Sequence, residues 1–430
     1  MNNFSEAMAW LLSHRNYGIK PGLERIEAVL EHLGHPERAI NSIHIGGTNG
    51  KGSTVTYVRQ IMQQAGYNVG TFTSPYVVQF EERISINGTP ISEEEFKVAA
   101  TSVREALERV NHPYGPATEF EILTLIAMVH FANGKELDLV IFEVGLGGRL
   151  DSTNVIHPLV SAITNVGQDH MHILGNTIED IAFEKAGIIK QNVPIVTTVA
   201  NDEALRVIRR IAQEKKGTDH YCSRVECTHC KARRRINFSV ITKQSTYSDL
   251  TIRMRGAHQV DNALLAIRIV EELSSFKYLV NEDEVRKGLE LAFWPGRLEL
   301  VRSNPRVLLD GAHNPEGIER LSSYLQTIVQ GRKLHLIVAM TIEKDIQQML
   351  EPLIALQPAS VTFTSFDHVR AMDPKVIIEQ VSFDACAEMN NHKAVQEMLR
   401  EADDQDVIVV VGSLFLISEV RAFFLKFAVE

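Results

Sequence analysis

The chain reads as an α/β protein. It should have a large N-terminal, mostly parallel sheet with helices on both faces, of phosphate-loop type, and then a smaller C-terminal α/β unit. Three observations predict this. Apolar strand-like runs alternate with helical patterns from residue 41 to about 200, as in sheets built from βαβ units. A glycine cluster follows the first of these runs and opens a helical pattern. A second alternating set begins after "FWPGRLEL", where Pro295 and Gly296 mark a turn. With 430 residues the chain exceeds the usual size of one domain. The boundaries expected are 1–296 and 297–430.

The first run and its loop read "NSIHIGGTNGKGSTV". Strand, glycine loop and helix in that order cradle a phosphate, because backbone N–H groups and the helix N-terminus converge on an anion. The strict pattern is G-x-x-x-x-G-K-[ST]. Here Ile45 stands at the first glycine position and Gly52, followed by Ser53, after the lysine. The physical parts remain. Gly47, Gly50 and Gly52 allow close approach, and Lys51 supplies a point charge.

The runs "NVGTFTS", "LDLVIFEVG", "PLVSAITNVG" and "NVPIVTTVA" should be further strands, with helices over Ser53–Ala65, Ser92–Val110, Glu119–Asn133 and Thr177–Ile188. Ligands of such sheets bind beyond the carboxyl ends of the strands. Glu143 ends one strand and is followed by Gly145, Gly147 and Gly148. A carboxylate there is costly to bury without a cation, and Mg²⁺ shared with nucleotide phosphates suits it. His170 adjoins Asp169 past the next strand and is a candidate on the same edge. His172 reads as a turn residue. Thr177 and Asp180 have the spacing of a capping box. Lys185 sits among Ile181, Phe183, Ala186 and Ile188, and spacing alone has it snorkelling to solvent.

Residues 217–256 break the alternation. Two short alternating runs, "RINFSVITK" and "SDLTIRMRG", suggest a small antiparallel excursion. It carries Cys222, Cys227 and Cys230 with His220 and His229. Only one C-x-x-C is present, so a basic surface segment with free thiols is favoured over a zinc site. Helix returns at "HQVDNALLAIRIVEEL". Beyond Gly296 the runs "RVLLDGAHN", "KLHLIVAM", "SVTFTSF" and "DVIVVVGS" alternate with helical patterns.

Composition limits the function classes. Hydrophobic residues make up 44% and charged residues 23%, ordinary for a globular protein. The net charge of -10 argues against general nucleic-acid or anionic-membrane binding. No apolar run approaches the ~18 residues of a membrane span. The start "MNNFSEAMAWLLSHRN" reads as an amphipathic helix of a cytoplasmic protein, without a signal peptide. A monomer is expected.

The motifs "GTNGKGST", "TSPY", "EVGLGGRLDSTN", "QDHMHILG", "EKAGIIK", "HQVDNA", "PGRLEL" and "DGAHNPEG" occur in that order. On them the chain resembles the folylpolyglutamate synthase and dihydrofolate synthase family, within the Mur-ligase group of ATP-dependent amide ligases. The G-L-G-G-R-L-D-S-T-N run is specific to the folate branch. Gln168, for a common histidine, and "TIEKD" from Thr341, for a common K-D-K-D, depart from the family pattern.

The resemblance implies an enzyme that joins a folate or dihydropteroate carboxylate to the amine of L-glutamate through an acyl phosphate, splitting ATP. It implies that Gly47, Thr48, Asn49, Gly50, Lys51, Gly52 and Ser53 hold the phosphates, with Asn262, Arg297 and Asp310 on the nucleotide. It implies Mg²⁺ on Ser74, Glu143 and His170, and a carbamylated Lys185 as an anionic second-metal ligand. His313 and, more weakly, Ser413 would serve the glutamate, and Phe120 and Asp151 the pterin. Lys51, Lys185 and His313 would be the catalytic residues. Dihydropteroate and reduced folates are the expected acceptors, and both additions are expected of this one chain. Two rival readings stay open: a cell-wall precursor ligase of the same fold, and a nucleotide-operated switch.

Overall fold

The computed structural model describes residues 1–110, 114–134, 137–221, 227–232 and 235–427. The first sheet contains β1 (Ser42–Gly46), β2 (Val69–Phe72), β3 (Ile84–Ile86), β4 (Thr89–Pro90), β5 (Leu139–Glu143), β6 (Val160–Ile163), β7 (Ile195–Thr197) and β8 (Asp219–Tyr221). Their order is β4-β3-β2-β5-β1-β6-β7-β8. From β2 to β8 the pairing is parallel, and β3 and β4 form an antiparallel edge.

The inner strands are mostly apolar because both faces are covered. Every residue of β1, β2, β5 and β6 is buried. Alternation sends successive side chains of β5 to opposite sides. Leu139 and Ile141 join a core with helices Lys51–Gln64, His258–Leu273 and Glu282–Leu291. Val140 and Phe142 join the core under helices Phe4–Ser13, Glu24–Leu33, Glu93–Arg109 and Glu119–Asn133. Helix Glu119–Asn133 lies inside its layer, with Glu121 through Phe131 all buried.

Register places the functional edge. Ile45 lies opposite Glu143, and Gly46 opposite Ile163. The loops after β1, β5 and β6 therefore leave the sheet side by side.

The antiparallel excursion is a sheet of β9 (Cys227–Ala232), β10 (Ile236–Ile241) and β11 (Thr246–Ile252). It starts later than the expected 217, because β8 pairs with β7 and extends the large sheet. The zinc reading of His220, Cys222, Cys227, His229 and Cys230 rests on side chains outside the described residues.

The second unit has β12 (Glu299–Ser303), β13 (Arg306–Asp310), β14 (Leu334–Val338), β15 (Ser360–Thr364), β16 (Cys386–Glu388) and β17 (Val407–Val411). The order is β12-β13-β17-β14-β15-β16, parallel except for the β12–β13 hairpin. β12 begins at the end of "PGRLEL", where the turn signal masks the start of a strand. It is anchored by the buried Glu299, which pairs with Arg421 at 2.9 Å. No helix among the described residues is long and apolar enough to cross a membrane.

Candidate active site

The glycine loop after β1 turns through positive φ at Gly47 (141°) and Gly50 (88°). A Cβ at Gly47 would fall 1.9 Å from Thr164 Oγ1, and one at Gly50 2.4 Å from Asn262 Oδ1. Glycine is thus required twice over, by conformation and by packing. Gly50 is the N-cap of helix Lys51–Gln64. Thr48 Oγ1 accepts from Gly167 N at 3.0 Å, and Asn49 N donates to Asn165 Oδ1 at 2.7 Å. Lys51 Nζ arches over the loop to donate to the carbonyls of Gly47 (3.1 Å) and Thr48 (3.2 Å). Behind it Gln259 bridges to Ser53 Oγ (3.3 Å) and Asn262 (3.1 Å).

This loop forms one wall of a cavity of about 210 Å³. Glu143, Ser74, His170 and Lys185 line it from the large unit, and Arg297, Asp310 and His313 from the small one. The fold therefore gathers nearly every residue singled out for the nucleotide and the metal.

Glu143 is buried, and burial raises its pKa, while Lys51 and the Ser74 N–H, 3.2 Å from Oε2, act to lower it. His170 has φ 51°, and burial lowers its pKa against the pull of Asp169. Lys185 does not snorkel. It is 3% exposed, and burial, with Lys51 next, pushes it down to about 7. It lies near the end of helix Ile178–Ala186, which is packed against a neighbouring loop. Gly148 packs so closely that a Cβ there would sit 2.8 Å from the carbonyls of Glu184 and Lys185. The expected cap is present, with Asp180 N on Thr177 Oγ1 and Thr177 N on Asp180 Oδ2.

Among the described residues no group of three or more His, Cys, Asp and Glu side chains is placed to hold a metal alone. The donors present are one buried carboxylate, a hydroxyl and an imidazole beside a phosphate-type loop. That set suits Mg²⁺, which takes few protein ligands and shares phosphate oxygens.

A second cavity, of about 1000 Å³, opens from the same place. Phe120 and Asp151 line it from the large unit and His313 and Ser413 from the small unit. Asp151 is 6% exposed. Its carboxylate accepts from Leu146 N (2.8 Å), Thr153 N (3.0 Å) and Thr153 Oγ1, so it also staples the glycine-rich loop. His172 is not confined to a turn. It belongs to the short helix Met171–Leu174 and faces this cavity. His313 Nδ1 donates to the Gly311 carbonyl at 2.8 Å, which leaves Nε2 as an acceptor. Burial holds His313 down at about 4. Asp310 accepts from Leu298 N (2.8 Å) and Ala312 N (2.9 Å), and burial raises its pKa against Arg297. Ser413 Oγ accepts from Phe415 N at 3.2 Å.

Several residues at this edge escaped sequence reasoning. Asn314 Nδ2 donates to Asn49 Oδ1 and to Asp169 Oδ2, both at 3.0 Å. Glu316 accepts from Asn49 Nδ2 at 2.9 Å and from Asn165 Nδ2 at 2.7 Å. Lys344 Nζ pairs with Asp169 at 3.0 Å, so the departure at "TIEKD" retains a cation where the two units meet. Asn314 and Glu316 lie in "DGAHNPEG" and Lys344 in "TIEKD", but nothing in those motifs said which partners they meet.

The Mur ligase middle domain matches residues 45–270, and the C-terminal domain of dihydrofolate synthetase matches residues 297–425. The chain is 40% identical over 426 residues to the dihydrofolate synthase/folylpolyglutamate synthase of Bacillus subtilis, covering 97% of this chain and 98% of that one. It is 32% identical to the folylpolyglutamate synthase of Lacticaseibacillus casei, over 97% and 98% of the two chains. Among solved structures, Escherichia coli FolC in complex with DHPP and ADP is similar at a TM-score of 0.89 and 27% identity, over 99% of both chains. An FPGS-AMPPCP-folate complex is similar at a TM-score of 0.84 and 30% identity, over 98% of this chain and 100% of that one.

Proposed function

We propose, for a chain that belongs to the folylpolyglutamate and dihydrofolate synthase family of Mur-type ATP-dependent ligases, that it joins L-glutamate both to dihydropteroate and to reduced folates. One observation carries the reading. The Lys51 loop, buried Glu143 and buried Lys185 share a cavity with Arg297, Asp310 and His313 of the other unit, and the larger cavity opens from that point.

A carboxylate acylates an amine poorly, because oxide is a bad leaving group. Transfer of the γ-phosphoryl group makes an acyl phosphate, and phosphate leaves well. The glutamate amine then attacks through a tetrahedral intermediate. The protein's part is positioning and charge neutralisation. In this proposal Lys51 leaves the Gly47 and Thr48 carbonyls for the transferring phosphoryl group. Asn262, Arg297 and Asp310 hold the nucleotide. Ser74, Glu143 and His170 would hold Mg²⁺, which would neutralise phosphate charge when bound. Burial keeps much of Lys185 neutral near pH 7, the form that adds CO₂ to become an anionic carbamate. His313, uncharged and with Nε2 free to accept, orients the glutamate amine, with Ser413 beside it. Phe120 offers a flat face to the pterin, and Asp151 fixes the loop beneath it. We set the border between the units at Gly296 and Arg297.

A product assay with dihydropteroate and tetrahydrofolate in parallel, each with ATP, Mg²⁺ and glutamate, tests the reading. Glutamylation of both acceptors is expected. Failure with dihydropteroate refutes the dual assignment, and ATP turnover without either acceptor would favour a switch.

A further inference from the structure

Arg83 belongs to the short 3₁₀ turn Phe80–Arg83. Its carbonyl accepts from Thr73 N at 2.9 Å, which fixes the turn beside Ser74. The residue is 8% exposed. Its guanidinium lies over the rings of Phe80 and Phe120, 5.4 and 5.7 Å from their centroids. Nε is sealed from solvent and has no partner among the described residues. The ion pair it does make, from Nη1 to Glu119 Oε1, is 3.9 Å long, and the Glu119 carboxylate is engaged by Arg15 at 2.9 Å.

A buried guanidinium so poorly matched is costly, because desolvation is offset only by close, well-directed acceptors. Burial accordingly lowers its pKa to about 10. A site that keeps such a group has an anion to receive there. The neighbours say which one. Arg83 lines the large cavity with Phe120 and Thr118, and does not line the nucleotide cavity; Ser74 lines both. The group therefore sits on the acceptor's side, and its turn is held next to Ser74, which lines both cavities. A planar fork of N–H donors matches a carboxylate bidentately.

We propose that Arg83 binds the acceptor's reacting carboxylate and holds it towards the γ-phosphate, a specificity that rests on the ligase reading above. In dihydropteroate that carboxylate is the only one. A monoglutamyl folate has an α-carboxylate as well, which could compete for the same fork.

The test compares the unmutated enzyme with Arg83→Gln and Arg83→Lys, using dihydropteroate and tetrahydrofolate as acceptors. Thermal unfolding and binding of dihydropteroate in the presence of ADP are followed alongside. In Arg83→Gln the KM of both acceptors should rise roughly tenfold or more, as expected for a lost charge-assisted pair, with the KM of ATP within about twofold and Tm not lowered. Dihydropteroate binding should weaken in parallel. Arg83→Lys should recover only part of the affinity, since lysine keeps the charge without the fork. Unchanged acceptor KM in Arg83→Gln, or a loss confined to tetrahydrofolate, overturns the proposal. An unmutated enzyme that glutamylates neither acceptor would instead refute the ligase reading.

Discussion

His44 shows how a single buried group can carry the acid response. It is fully buried on β1, with Nε2 2.8 Å from Thr153 Oγ1. Thr153 spends its own proton on Asp151, so Nε2 must be the protonated nitrogen, and Nδ1 is left without a partner. Burial, with Lys190 second, pushes its pKa down to about 3. The unfolded chain therefore binds this proton first as pH falls. Stability should drop through the window from pH 6.5 to about 3, by up to about 1.4 kcal/mol per pH unit from this group. Denaturant titrations of the unmutated protein and His44→Gln across that window check it; the variant should show the shallower slope. At the glycine loop, Lys51→Ala should cut kcat about a hundredfold or more with Tm preserved, because the lysine acts on transferring charge. Near-normal turnover at saturating ATP would remove it from the mechanism. Glu143→Gln should lower activity and raise the Mg²⁺ concentration needed for half-maximal rate. An unchanged magnesium titration would count against Glu143 as a ligand.

Elements were legible where one periodicity governed them. The inner strands are mostly apolar runs, and helix Ile178–Ala186 announces itself by its cap and spacing. What covers an element was not legible. The turns of the helix leave Lys185 able to reach solvent, and its burial comes from tertiary packing, of which the close approach of Gly148 to the Glu184 and Lys185 carbonyls at the helix end is one part. Short strands such as β8 (DHY) and β16 (CAE) escaped because, unlike the equally short β7, they lie in no apolar run. Gly148→Ala tests the packing. Its Cβ would press on two carbonyls of the helix end, for which strain of about 1–3 kcal/mol is expected, with activity lost along with Lys185's placement. Full activity and an unchanged Tm would show that the helix yields cheaply. Arg83, Asn165 and Glu316 were illegible for a different reason: each takes its meaning from a partner far away in sequence.

At the scale of the whole molecule, the two units meet through polar contacts at the glycine loop. Glu316 grips Asn49 and Asn165, Asn314 grips Asn49 and Asp169, and Lys344 grips Asp169. The residues gripped lie in the loops after β1 and β6, where phosphates are proposed to bind, so the position of the small unit is tied to the shape of that loop. We infer that closure about Pro295 and Gly296 completes the site, and that these contacts report closure to the nucleotide. Charged hydrogen bonds of this kind contribute roughly 1.5–3 kcal/mol each when desolvated. Glu316→Gln keeps the shape and removes the charge; it should weaken kcat/KM for ATP by about tenfold while leaving acceptor binding in the presence of saturating ADP nearly unchanged. Combined with Lys344→Ala it should also enlarge the radius of gyration measured by small-angle scattering, with addition of ATP and folate restoring part of the compaction. A double variant whose scattering curve matches the unmutated protein with and without ligands would mean that the units are held together elsewhere. The polar contacts would then be a consequence of their placement rather than its cause.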